Sequence, residues 1–240
     1  MSKGNRNRAK RAAAAQAARP QPGTPALAVP GSSVRIRHAA DVEELAQFER
    51  WASMADAGGP VTARRLIEAH NQGFLATSLD FRTCGAADER AYRAGQLEAM
   101  NWAHTFALVA VDDSGPIGGL LAGPSEYFLS RMPPQAGPEP IMKGILRTSK
   151  LHFVSVDDAH RRSGAGSALV AAALSIVKGS QADVFYGQYE ADDHGLERFY
   201  RKAGFTVHPT GTGLDFSSIF GFNYGPAPMP TERFFTKKFY

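Results

Sequence analysis

The chain has 240 residues, 43% of them hydrophobic, and a formal net charge of +4. That is enough for one core-forming domain with extensions, and no apolar run reaches the roughly 20 residues that span a bilayer, so no membrane partner is expected. The single cysteine, Cys84, excludes an internal disulfide and a thiolate metal cluster, and makes a reducing, cytoplasmic setting the default.

The charge is uneven. Lys3, Arg6, Arg8, Lys10, Arg11, Arg19, Arg35 and Arg37 fall within residues 1–40, which hold no acid, and residues 41–240 carry 19 basic against 23 acidic residues. Residues 1–33 are rich in Ala, Pro and Gly and lack aromatics, so they read as a disordered tail with little to bury. A solvated tail, an electrostatic contact with nucleic acid or ribosome, and an organellar transit peptide all remain open. Residues 34–240 read as one folded domain.

In chain order, Val34–Ala39 alternates as a first strand. Asp41 can cap a helix carrying Val42, Leu45, Phe48 and Met54 at helical spacing, which Gly58-Gly59-Pro60 ends. A second helix is expected from Thr62 with Leu66 and Ile67, and a third over 87–102. Thr105–Asp113 reads as a buried strand, Ser114-Gly115 as a hairpin turn, and Pro116–Gly123 as its antiparallel return. Residues 124–149 contain five prolines and read as a long loop. The strand Leu151–Val156 follows, then a glycine turn, a helix from Gly166 to Lys178, a strand Ala182–Glu190, a short helix His194–Phe205 and a terminal strand Glu232–Tyr240. This order gives an α/β chain around a mixed sheet.

The segment HRRSGAGSAL, from His160 to Leu169, places two arginines and a Gly-Ala-Gly turn between a strand and a helix. Free amides and the helix dipole make such a junction an anion site, and glycine allows close approach. The Walker pattern is absent, and the dinucleotide pattern starting at Gly164 has Leu169 where a small residue is needed. The pyrophosphate of coenzyme A is the remaining candidate.

Here the sequence resembles the GNAT superfamily of acetyl-CoA-dependent N-acetyltransferases. The resemblance rests on two motifs. Val154-Ser155-Val156 precedes Arg161-Arg162-Ser163-Gly164-Ala165-Gly166, matching a V-x-V triplet and [R/Q]-x-x-G-x-[G/A]; Tyr200-Arg201-Lys202-Ala203-Gly204-Phe205 matches Tyr-x-x-x-Gly-Phe. It implies a GNAT fold: a mixed, mostly antiparallel sheet with a central parallel strand splay and flanking helices. It implies acetyl-CoA as co-substrate, without metal, and an amine as acceptor. Cofactor contacts would come from Val154, Ser155 and Val156 along the pantetheine arm and from Arg161, Arg162, Ser163, Gly164, Ala165, Gly166 and Ser167 around the pyrophosphate. Asp193 stands where relatives often have Asn, and an Asp accepts but does not donate.

The resemblance makes Tyr200 the acid that protonates the leaving thiolate; otherwise it is a packed aromatic. For the base, relatives with a Glu twelve residues before that tyrosine are matched here by Gln188, which is no base. Glu190 on the same strand face, His152 on the first motif strand with an ordinary pKa near 6.5, and water remain open. His160 and His194 read as turn and cap residues. Tyr127, Phe128, Phe220, Phe222 and Tyr224 fall in expected loops, where they could line an acceptor pocket or pack the loops down. Cys84 has no histidine beside it and reads as inert. A homodimer through the apolar late strand is possible. From a different class, a catalytically weak CoA-binding module tethered by its basic tail also fits the sequence.

Overall fold

The computed structural model describes residues 27–28, 32–79, 96–133, 138–180 and 182–239. Eight strands form one sheet: β1 (Leu27–Ala28), β2 (Arg35–His38), β3 (Phe106–Asp112), β4 (Gly115–Gly123), β5 (Thr148–Val156), β6 (Val184–Glu190), β7 (Thr206–Val207) and β8 (Glu232–Lys238), in the order β1-β2-β3-β4-β5-β6-β8-β7. Every neighbouring pair is antiparallel except β5–β6. The helices are α1 (Val42–Met54), α2 (Gly59–Asn71), α3 (Leu97–Ala103), α4 (Glu126–Leu129), α5 (Pro138–Arg147), α6 (Ala165–Gly179), α7 (His194–Lys202) and α8 (Ser217–Phe220).

Helix α1 starts where its sequence says it should. The Asp41 carboxylate accepts from Glu44 N–H at 3.0 Å, and Glu44 reaches back to Ala40 N–H at 2.8 Å, so two otherwise orphaned donors are satisfied. Its buried stripe is Leu45, Phe48, Trp51 and Ala52, while Val42 and Met54, expected in that stripe, are 38% and 41% exposed. The stripe packs with Leu66 of α2 on Ala107, Val109, Leu121 and Phe153. The approach is close: a Cβ on Gly119 would lie 2.3 Å from the Trp51 ring, so only glycine fits beneath it. On the other face, Leu169, Val170, Ala173 and Val177 of α6 pack with Leu108, Leu120, Phe185 and Phe235. A third cluster joins Tyr186 and Phe234 to Phe128, Phe216 and Phe220.

Three expectations need correction. Residues 124–149 are not a long loop: they hold α4, α5 and the first residues of β5. Pro138 and Pro140 sit in the first turn of α5, where the missing N–H costs nothing, so prolines taken as loop signals mark a helix start. The boundary at residue 34 also moves, because Leu27 and Ala28 pair with Ile36 and Arg35; residues 1–26 and 29–31 lie outside the described residues. Gly179 belongs to α6, whose cap is Ser180. Strand β8 lies between β6 and the two-residue β7, which pairs with it at Phe235 and Thr236. Cys84 and the first part of the expected third helix lie outside the described residues. Among the described residues no helix is long and apolar enough to cross a membrane.

Candidate active site

The sheet comes apart at its centre. Parallel pairing of β5 with β6 covers only Thr148↔Val184, Ser149↔Phe185 and Lys150↔Tyr186. Beyond that point β5 carries one extra residue relative to β4. Leu121 faces Phe153 and Ala122 faces Leu151, leaving His152 as the bulged residue. A bulge bends its strand, and here the strands separate where the bulge begins. The space between them opens into a cleft with about 2000 Å³ of empty space, its mouth included.

Backbone register decides what the splay offers. Asp157 N–H donates to Ile117 C=O at 2.9 Å, so Asp157, Ser155 and Phe153 turn their amides and carbonyls toward β4. By strand alternation Val154 and Val156 turn theirs into the splay. Ser155, expected among the residues that hold the ligand, lines the cleft, but its backbone faces β4 and its hydroxyl donates to Trp51 C=O at 2.8 Å. The same junction is tied down by Asp157, whose carboxylate accepts from Trp51 Nε1 at 2.9 Å and from the Arg50 guanidinium at 2.8 Å. The C-terminal end of α1, Ser53–Asp56, is thereby held along the cleft.

The turn after β5 is shaped for an anion. Arg162 and Gly164 both adopt left-handed backbone, with φ of 65° and 87°, and Gly164 caps α6 with no side-chain hydrogen bond. The Ser163 hydroxyl accepts from Ala165 N–H at 3.3 Å. The first helical bond runs from Ala168 N–H to Gly164 C=O, so the amides of Gly166 and Ser167 precede the helical ladder at the positive end of the dipole. Arg161, Arg162, Gly164, Gly166 and Ser167 all line the cleft. Arg161 also pairs with Asp158 at 2.9 Å. His160 turns its Nε2 toward Asp112, at 3.6 Å.

Across the splay, Tyr200 lines the cleft from α7 and is 4% exposed. Its ring stacks on Phe235 with centroids 3.7 Å apart and planes at 15°. Burial first, then Tyr189 and the charge of Asp193, raise its pKa, so the phenol keeps its proton at neutral pH.

A family model described as "Acetyltransferase (GNAT) family" matches residues 76–205. The chain belongs to the GNAT acetyltransferase family. No curated protein matches the sequence. Among solved structures, a protein assigned to the GNAT family from Desulfovibrio desulfuricans aligns with a TM-score of 0.50 at 14% identity, over 86% of this chain and 99% of that one. The Salmonella typhimurium protein yncA, solved with its cofactor acetyl-CoA, aligns at 0.45 and 19% identity, over 87% and 95%. The ribosomal-protein-alanine N-acetyltransferase of Brucella melitensis aligns at 0.45 and 18%, over 85% and 98%.

The remaining site residues of this GNAT protein fall as follows. His152 lines the cleft, but its ordinary pKa does not survive. Burial, then the nearby Lys150 ammonium, lowers it to about 3, against the pull of the Pro124 and Gly123 carbonyls. The ring is neutral at pH 7 and a weak proton acceptor, so an acidic limb near 6.5 cannot be assigned to it. The unfolded chain binds this proton below about 6.5 and the folded chain only near 3, so stability falls as pH drops through that window. His152→Gln should remove a slope of up to about 1.4 kcal/mol per pH unit. Urea titrations of both proteins at several pH values check this; parallel acid dependences would sink it.

Glu190 is exposed at the mouth. Gln188 lies deeper, its amide donating to Glu232 at 2.8 Å and its carbonyl accepting from Lys150 Nζ at 3.1 Å. Asp193 is a helix cap: its carboxylate accepts from Leu196 N–H at 2.9 Å, and it faces the cleft with a negative charge unsuited to phosphate. The next residue, His194, is the first of α7 and so starts the helix rather than capping it. Of the loop aromatics, Phe128 and Phe220 are buried, Tyr224 donates to Phe128 C=O at 2.9 Å, and Tyr127 is 67% exposed against Arg131. They mostly pack the α4–α8 region together.

Proposed function

We propose that this protein transfers an acetyl group from acetyl-CoA to an amine directly, within one ternary complex. The observation that carries this is the juxtaposition of the anion-shaped turn, the unpaired edge of β5 and the buried Tyr200 around one cleft. The residues present fit coenzyme A. Gly166 and Ser167 amides with Arg161 and Arg162 suit the pyrophosphate. Val154 and Val156 each offer one N–H and one C=O to an extended pantetheine chain, as a neighbouring strand would.

When bound, acetyl-CoA supplies a thioester whose carbonyl carbon the amine nitrogen attacks, forming a C–N bond as the C–S bond breaks. Tyr200 holds an O–H toward the departing sulfur, gives up that proton, and is reprotonated by the one the amine loses to solvent. Neutral His152 accepts a hydrogen bond from the incoming amine and orients its lone pair. It does not take the proton fully, since its conjugate acid is far stronger than an alkylammonium. The absence of a glutamate at position 188 therefore leaves deprotonation to water, and the acidic limb of activity should follow the amine's own pKa.

The test is thiol release from acetyl-CoA with a panel of amines, followed by initial rates in both substrates. Intersecting reciprocal plots are expected. Parallel plots would replace direct transfer with an acetyl-enzyme, and tight CoA binding without turnover would favour a binding module.

A further inference from the structure

The two faces of the splay differ. Ser149, Leu151, Phe185 and Tyr189 point toward the α6–α7 side, which also carries Tyr200. By alternation Lys150, Tyr186 and Gln188 point to the other, consistent with the Lys150–Gln188 hydrogen bond and with Tyr186 in the Phe128 cluster. An acyl group threaded through the splay would present one face to Tyr200 and the other to His152 and Gln188, with the Lys150 ammonium directly behind, 3.1 Å from the Gln188 amide oxygen.

Lys150 is oddly provided for. Its stem is half-buried and its ammonium has three donors. Among the described residues its hydrogen bond goes to a neutral oxygen, Gln188 Oε1 at 3.1 Å, and no carboxylate lies within ion-pair distance. The nearest acid in the chain of contacts is Glu232, already accepting from Gln188 Nε2 at 2.8 Å and from Met229 N–H at 2.7 Å. Burial lowers the Lys150 pKa and Glu232 only partly offsets that. A partly buried cation with a neutral partner is costly unless an anion joins it.

We infer that Lys150 selects the acceptor: the substrate is an amine that carries a carboxylate beside its amino group, as an amino acid does, with the carboxylate at Lys150 and the nitrogen at His152. This rests on the acetyl-transfer reading and names its acceptor class. Gln188 is then a positioning residue. Its carbonyl steers the ammonium, and its amide group, held by Glu232, cannot turn round to oppose a carboxylate with its own oxygen.

The experiment uses the full chain, acetyl-CoA, the common amino acids and the amines they give on decarboxylation. Thiol release is measured for each pair. The best amino acid should exceed its decarboxylated amine at least about tenfold in kcat/KM, as one ion pair in a partly dry site would give. Lys150→Gln should erase that ratio and Lys150→Arg should keep part of it; a ratio within one protein does not respond to mere loss of stability. Amines turned over as well as amino acids, or a ratio untouched by Lys150→Gln, would overturn the acceptor class and leave acetyl transfer standing. Acetyl-CoA binding without turnover of either set would overturn both.

Discussion

Replacing Gly164 by glutamate is expected to abolish acetyl-CoA binding while leaving a folded protein. Gly164 holds φ at 87°, a conformation that costs a side-chain-bearing residue about 1–2 kcal/mol. It is exposed, so that cost falls on the turn rather than on the core. The larger effect is electrostatic. A carboxylate about 4 Å from a pyrophosphate charge is repelled by about 4 kcal/mol at the dielectric of a protein surface, and even a partial share of that lowers affinity at least about 100-fold. Gly164→Ala carries the same backbone strain without the charge, so it should bind more weakly than the parent and far better than the glutamate variant. Calorimetric titration with acetyl-CoA measures all three. Unchanged affinity in Gly164→Glu would remove coenzyme A from this turn.

Tyr200→Phe should lower kcat by about 10²–10³-fold, the loss expected for one positioned proton donor. The phenyl ring keeps the stacking on Phe235 and loses only a buried hydroxyl, so thermal stability should hold. The KM for acetyl-CoA should change little, because the hydroxyl acts as the C–S bond breaks rather than on binding. Full kcat in this variant, under conditions where chemistry limits the rate, would return Tyr200 to the aromatic cluster of Tyr189, Phe199, Phe205 and Phe235.

The parts of the molecule legible in the sequence are those whose chemistry is local. The Asp41 cap, the hairpin and the Gly164 turn each depend on a few adjacent residues; the first and last stand where the sequence put them, and the hairpin turn falls one residue earlier than expected, at Asp113-Ser114. The family followed from two such local motifs. What escaped depends on tertiary neighbours. Prolines 138 and 140 looked like loop residues because nothing nearby shows that Ile145 and Met142 have a cluster to pack on. Ser155 could be told from Val154 only by the β4–β5 register. His152 kept its ordinary pKa on paper because the bulge, the burial and Lys150 are invisible in one dimension. Trp51 and Asp157, 106 positions apart in sequence, share a hydrogen bond that no pattern announces.

The splay also changes how the resting molecule should exchange its amide protons. Amides in the middle of an eight-stranded sheet are normally the slowest to exchange, since only a large opening reaches them. Val154 and Val156 occupy that position and yet face no partner strand, because pairing with β6 ends at Lys150↔Tyr186. Without ligand they should exchange like amides of an outer edge, beside well-protected Phe153 and Ser155. A bound pantetheine chain that accepts from them should slow both and leave Phe153 and Ser155 as they were. Deuterium uptake over residues 151–156 thus reports occupancy of the cleft by a route that needs no acceptor and no turnover.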